Sequence, residues 1–276
     1  MSPGLVVNIG CGEVFHPDWT NLDVCPSDAA VQRWDIRRGF PFGDEKVDAC
    51  YASHVLEHLA RANARQFILE CFRVLKPGGI IRLVVPDLEA IARQYLVCLD
   101  GADQGAPNAE NDYEWIVLEM MDQMVRKSPG GEMFQYLTSG NVKNREFVVA
   151  RCGVEAEKLI SNKGDTNPHR PTDIYRVGYC FRRLREELAG WLSAVVLGAE
   201  GYEVVKEGLF RRSGQLHLWM YDQYSLRRLL GQSGFSDIRL CRADESRIPG
   251  WQAYNLDMES TRIRKPDSLF MEAVKP

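Results

Sequence analysis

Among the 276 residues there is no Cys-x-x-Cys pair, although eight cysteines are present: Cys11, Cys25, Cys50, Cys71, Cys98, Cys152, Cys180 and Cys241. Most of them lie in apolar runs, as reduced core thiols do, so neither a disulfide framework nor a cysteine-based zinc site is expected. No apolar run approaches the length of a membrane span, and the first ten residues enter a buried-strand pattern without the layout of a signal peptide. A soluble, cytoplasmic protein with no integral membrane segment is therefore expected. An excess of positive charge is lacking as well: 34 Lys and Arg stand against 38 Asp and Glu, a net charge of −4. That balance argues against nucleic acid as a partner, and the clusters Arg182-Arg183-Leu184-Arg185 and Arg262-Ile263-Arg264-Lys265 read as solvated surface. Internal repeats and low-complexity tracts are absent. What is present is enough apolar material, 45% of the chain, to bury one elaborated core.

Strand and helix patterns alternate through the first third. Leu5-Val6-Val7-Asn8-Ile9 is a short apolar, β-branched run ending in Gly10-Cys11-Gly12, which predicts a buried strand and a glycine turn. Thr20 to Val24 and Val47 to Ala52 predict two more strands. Leu59, Phe67, Ile68, Cys71, Phe72 and Leu75 keep helical spacing until Lys76-Pro77-Gly78-Gly79, and Ile80 to Val85 predicts another buried strand. Such alternation implies an α/β fold with a parallel sheet. From residue 88 to 220 long amphipathic stretches take over. Tyr113, Ile116, Val117, Met120, Met121 and Met124 form an apolar helix face, with Trp115, Glu119, Asp122 and Arg126 as a polar stripe beside it. Residues 161–173 read as a loop. Tyr224 to Leu230 then reads as a helix, with strands at Ile238 to Cys241 and Leu269 to Val274. Residues 1–87 and 221–276 thus make one α/β unit, and 88–220 a large helical insertion.

A strand leading into Gly-x-Gly lets the backbone approach a ligand, and an acid at the end of the next strand can accept hydrogen bonds from a ribose diol. Gly10, Gly12 and Asp23 fit that plan. Only 13 residues separate Gly10 from Asp23, fewer than the roughly 20 of the dinucleotide fingerprint, whose third glycine is also missing. NAD is therefore not the expected ligand. The ordered set "VVNIGCG", "NLDV", "WDIRRGFPFGDEKVDACYASHVLEHL" and "FRVLKPGGIIRLVVPDLE" resembles the motifs of class I S-adenosylmethionine-dependent methyltransferases across residues 5–89. The resemblance implies a Rossmann-like sheet and S-adenosylmethionine as cofactor. It would lie along Asn8, Gly10, Cys11 and Gly12, with Asp23 on the ribose, Asp35 and Ile36 at the adenine, and Ser53 and His54 lining the site. Asn8 departs from that pattern, in which an acid is common.

His54-Val55-Leu56-Glu57-His58 matches the H-x-x-E-H spacing of a zinc peptidase. That chemistry requires both histidines on one helix, whereas the strand pattern puts His54 on an exit loop. No metal is expected, His58 reads as a packing or capping residue and Glu57 as a helix-entry acid. For methyl transfer to an alcohol a base is useful, and His54, His217 and Asp222 are the candidates. Glu119, Asp122, Arg126 and Glu132 of the insertion are candidates for binding a polyhydroxylated acceptor, and an Asp122–Arg126 pair on a solvated face is the plainer alternative. "GGEM" at 130–133 either lets the backbone approach a ligand or ends a helix. The short first crossover, the insertion, "RIPGW" and the ending "KPDSLFMEAVKP" resemble bacterial methyltransferases associated with surface-polysaccharide synthesis. That likeness implies a sugar hydroxyl as acceptor. Another small molecule, or a non-catalytic role beside a glycan assembly, are the alternatives.

Overall fold

The computed structural model describes residues 4–161 and 176–276, with side chains omitted for 176–186. The expected loop at 161–173, Cys180 and the Arg182–Arg185 cluster therefore fall almost wholly outside what is described. Seven strands form one sheet in the order β3-β2-β1-β4-β5-β9-β6. They are β1 (Val6–Ile9), β2 (Thr20–Asp23), β3 (Val31–Arg33), β4 (Val47–Ser53), β5 (Leu75–Pro86), β6 (Ser236–Leu240) and β9 (Ser268–Val274). Within the sheet β9 alone runs against its neighbours, between β5 and β6. A small hairpin, β7 (Met258–Glu259) with β8 (Arg262–Ile263), precedes it.

The period-2 pattern of each strand sorts side chains to two faces. Val7, Ile9, Cys50 and Ala52 pack with Ile68 and Cys71 of α1 (Arg61–Val74) and Leu226 and Leu230 of α8 (Gln223–Gln232). Val6, Ala49, Tyr51 and Val84 face the other way, onto Trp19, Phe270 and Trp251 of the short α9 (Trp251–Tyr254). No helix fits between β1 and β2, and Trp19 fills that space at 4% exposure. Between β5 and α8 stand the helices of the insertion: α2 (Leu88–Asp103), α3 (Ala109–Val125), α4 (Gly131–Thr138), α5 (Arg145–Ser161), α6 (Arg176–Leu197) and α7 (Ala199–Arg211).

Three local expectations change. Lys76 to Gly79 does not end a helix; α1 stops at Val74, and the four residues form an excursion within β5, where pairing with β4 jumps from Val47↔Leu75 to Ala49↔Ile80. Strand β3 carried no readable signal because only Val31 of its three residues is buried. On α3 the polar stripe is buried as well: Trp115, Glu119 and Asp122 are enclosed, and of the apolar face Ile116 is fully buried with Tyr113 and Met120 packed beside it, while Met121 and Met124 are exposed.

The centre of the sheet holds a charge. Arg82 on β5 is fully buried, with Nε donating to Asp257 Oδ2 at 2.9 Å and Nη1 to Glu272 Oε1 at 2.9 Å. Tyr51 Oη donates to the other Asp257 oxygen at 2.5 Å. The guanidinium also donates to the carbonyls of Arg242 and Glu245, and it lies 4.4 Å from the Trp251 ring centre. Burying three charges is tolerable only because each is met by partners. Arg82→Ala would strip the buried Asp257 of its guanidinium and leave Glu272 to Arg247 and Arg239, and we expect it to lower unfolding free energy by about 3–5 kcal/mol. Equilibrium urea unfolding reads this directly, and a loss under about 1 kcal/mol would refute the central role given to this network.

Candidate functional site

The carboxyl ends of β1, β2 and β4 meet where the sheet changes direction of winding, the usual place for a ligand crevice in such sheets. Gly10 follows β1 with φ +67° and donates its N–H to Leu22 O at 2.8 Å. A Cβ on Gly10 would stand 2.5 Å from Val55 Cγ2, so the turn after β4 presses directly on the turn after β1. Gly12 differs: around its missing Cβ nothing lies within 4 Å, which leaves open space beside the backbone.

Asp23 closes this crevice. Its Oδ2 accepts from Gly12 N at 2.9 Å and its Oδ1 from Cys25 N at 2.7 Å. A carboxylate offers about four acceptor positions, so two backbone amides fix its plane and two positions stay available for a diol. Asn8 is buried and donates to Val14 O at 3.0 Å, shaping the loop from inside. Burial and then the Asp23 charge push the Cys11 thiol up to about 12, which disfavours its thiolate. Asp35 caps the 3-10 turn Ile36–Arg38, and both its oxygens are held by Arg37, at 2.8 Å each. The hydrogen bond from Arg37 is the main reason its carboxyl lies below the usual range. A ligand amino group would have to share Asp35 with that guanidinium. Ile36 is half-buried against the core, and Ser53 ends β4 opposite Val84.

After Ser53 the H-x-x-E-H segment does not form one helical turn. His54 has φ +54°, Leu56–His58 is a 3-10 turn, and α1 begins only at Arg61. The peptidase arrangement is therefore absent, and so is the expected placement of Glu57 and His58 on the first turn of a helix. His54 Nε2 lies 2.9 Å from Ser268 Oγ. Its Nδ1 lies 3.1 Å from Glu57 Oε1, close enough for their charges to interact but out of line for a hydrogen bond. Glu57 itself is fully buried. Burial pushes its carboxyl up, yet His54, His58 and His217 together outweigh that and hold it at about 2.

His217 does arrive beside this segment, as its position before the returning α/β unit suggested. Its ring centre is 4.8 Å from that of His58. Chain neighbours make the docking firm: Glu57 O accepts from Leu218 N at 2.7 Å and Trp219 N at 3.2 Å, His58 Nδ1 lies 3.0 Å from Leu216 O, and His217 N donates to Gln123 O at 3.0 Å. As a base, however, His217 is poor: it is 4% exposed, and burial is the main cause that lowers its imidazole to about 3. Asp222 is corrected too. Its Oδ1 accepts from Ser225 N at 2.7 Å in a capping box that starts α8, so its carboxylate is engaged in holding a helix end.

The acceptor candidates of α3 are not gathered around an open pocket. Glu119 is buried, pairs with Arg151 of α5 and accepts from Trp115 Nε1 at 3.1 Å. Asp122 accepts from Glu132 N at 2.7 Å, and a Cβ on Gly131 would stand 2.3 Å from its carboxylate, so Gly131 lets α4 approach Asp122 rather than a ligand. Arg126 does not pair with Asp122; it donates to Gln215 O at 2.5 Å. The Glu132 side chain is exposed. The solvated-face alternative fails as well, because these groups tie α3, α4, α5 and the return segment to one another. Sequence reasoning passed over Arg151 and Ser268, which lie far along the chain from Glu119 and His54 and carry no spacing signal.

The pattern of the methyltransferase domain family matches residues 7–83, from β1 into β5. Over 99 residues the chain is 34% identical to a "probable S-adenosylmethionine-dependent methyltransferase" of Mycolicibacterium smegmatis, which covers 30% of this chain and 38% of that protein. The matched stretch thus spans well under half of that relative. A SAM-dependent methyltransferase from Archaeoglobus fulgidus aligns with 99% of this chain and 87% of its own, at 11% identity and TM-score 0.40. A phosphoethanolamine N-methyltransferase from Haemonchus contortus, solved with S-adenosylhomocysteine, aligns with 100% of this chain and 50% of its own, at 11% identity and TM-score 0.36.

The contact between the two turns makes a prediction independent of any ligand. Gly10→Ala should lose stability twice, by about 1–2 kcal/mol for the left-handed backbone and further for the Val55 clash. Adding Val55→Ala should recover the clash alone, giving a non-additive cycle in denaturant titrations. Strict additivity would mean that the two turns do not press on each other.

Proposed function

We propose that this chain, whose sheet has the class I methyltransferase topology with β9 reversed between β5 and β6, binds S-adenosylmethionine and methylates an oxygen of a sugar or glycan precursor. The observation that carries the cofactor is Asp23: a carboxylate held in plane by Gly12 N and Cys25 N, with acceptor positions left over beside the open space at Gly12. Those free positions suit the two ribose hydroxyls, and the crevice between Gly10 and Gly12 suits the methionine part. When bound, the cofactor supplies a sulfonium methyl group and its own leaving group.

The chain must then align a nucleophile and take its proton. His54 stands at the end of β4, with Glu57 behind Nδ1 and Nε2 toward Ser268 Oγ. In this reading Nε2 exchanges Ser268 for the acceptor hydroxyl and receives its proton as the oxygen attacks. His54 is preferred to His217 because it is less enclosed, with a side-chain exposure of 14%. Helices α2–α5 and the return segment 215–221 border this edge and form the natural wall of the acceptor pocket. The partition into 1–87, 88–220 and 221–276 belongs to the same reading. A sugar acceptor accords with the need for a base, since a neutral alcohol is a weak nucleophile until its proton is taken.

Asp23→Ala should weaken binding of S-adenosylmethionine by about 1.5–3 kcal/mol, as expected for hydrogen bonds to a charged group. Calorimetry with an unchanged affinity would remove Asp23 from the site. Replacing His54 with alanine should lower turnover by about 10²–10⁴-fold while cofactor affinity persists. The assay is transfer of labelled methyl to cell-envelope glycan precursors, with the product identified by mass spectrometry. Label on protein or nucleic acid alone would overturn the glycan assignment. Tight cofactor binding without transfer to any acceptor would favour a non-catalytic partner of glycan assembly.

A further inference from the structure

We infer that Glu57, His58 and His217 form a site for a divalent transition-metal ion, with zinc the best match to the donor set. The inference does not rest on methyl transfer, although it shares Glu57 with the His54 pair of that reading, and it revises the expectation from sequence that no metal is held. One ligand atom from each of the three residues can be chosen so that all lie within 4.8 Å of one another. They converge from two segments, the 3-10 turn after β4 and the strand-like return before α8. Both Glu57 oxygens and His217 Nδ1 are buried without a hydrogen-bond partner, in side chains 0% and 4% exposed, although Glu57 Oε1 also has His54 Nδ1 as a charge neighbour at 3.1 Å. Orphaned polar atoms of that kind are costly and rare in native interiors, and a single cation would satisfy all three.

His58 supplies a second, independent sign. Its Nδ1 stands 3.0 Å from Leu216 O. A carbonyl can only accept, so Nδ1 carries the proton and Nε2 keeps its lone pair. Ligating histidines are oriented in this way, with the other ring nitrogen donating to a carbonyl or carboxylate. Two imidazole nitrogens and one carboxylate oxygen suit zinc and its first-row neighbours, whereas calcium and magnesium ask for oxygen ligands. Metal bonds of about 2.0–2.2 Å would draw the side chains inward by about an ångström. Three protein ligands would leave a coordination position open to water or to an acceptor oxygen.

A second group, which also holds one orphaned buried atom, Asp267 Oδ1, differs in already having a cation and serves as the control. Glu119, Cys152 and Asp267 also bring ligand atoms together, but Arg151 already supplies the positive charge opposite Glu119. No cation is needed there.

The test strips the purified full-length chain with a chelator, adds zinc chloride, removes the excess and counts bound metal by elemental mass spectrometry. Stoichiometric zinc is expected in the wild type and in Cys152→Ser. Glu57→Gln should lower zinc affinity by at least about tenfold, and His217→Ala should do the same. Glu57→Gln keeps the shape of the side chain and the backbone carbonyl that holds Leu218 and Trp219, and its far-ultraviolet circular dichroism checks that it folds. Cobalt(II) substitution should give visible absorption bands that disappear in the same two variants. Absence of bound zinc in the wild type, equal binding in wild type and Glu57→Gln, or loss confined to Cys152→Ser would each overturn the site.

Discussion

The turn from His54 to His58 is the constraint on which the working edge of this protein depends. Its residues reach several separate parts of the chain. His54 N donates to Val84 O on β5, and its ring meets Ser268 at the start of β9. Val55 presses on Gly10 and so sets the backbone after β1. Glu57 O and His58 Nδ1 hold the return segment from Leu216 to Trp219. One short turn therefore positions the glycine crevice, the catalytic candidate and the seam between sheet and insertion. Such a turn has little freedom to drift, because movement in any direction breaks a contact to a separate element.

The middle of the sheet is held differently. Arg82, Asp257, Glu272 and Tyr51 form a buried polar network through β4, β5, β9 and the segment before the small hairpin. Ser246 Oγ and Arg247 N add further donors to Glu272. Fully satisfied networks of this kind specify one arrangement of strands at high cost for any alternative. This is a physical reason for the reversed β9 to keep its register between β5 and β6. Rigidity there leaves the carboxyl edge as the part of the sheet in which ligand chemistry can be built.

The insertion shows the same economy on a smaller scale. Trp115, Glu119 and Asp122 turn inward, where Glu119 pairs with Arg151 and Asp122 accepts from the Glu132 amide of α4. Salt bridges from α5 to the hairpin region, Lys158 to Glu259, Arg262 to Glu157 and Lys265 to Glu155, attach this layer to the C-terminal segment. The polar residues Glu119 and Asp122 of the insertion thus organise its own packing.

Local signals in the sequence determined the strands and the crevice. β-branched runs at Val6–Ile9 and Val47–Ser53, the Gly10-x-Gly12 turn and an acid closing the second strand were readable, because strand alternation and glycine turns are properties of neighbouring residues. The helical insertion was readable for the same reason. β3 was not, since three residues with one buried side chain carry no period. The inward direction of the α3 polar stripe was also hidden: burial of Glu119 depends on Arg151, which lies 32 positions further on. Helical spacing alone ranks such a stripe as surface. Likewise the five letters from His54 to His58 fixed which donors were present but not how they turn. Only tertiary structure set His54 in a left-handed conformation, coiled Leu56–His58 into a 3-10 turn and carried His217 across roughly 160 positions to face His58. The sequence determined which groups could act; long-range packing, which no local pattern encodes, decided which of them meet.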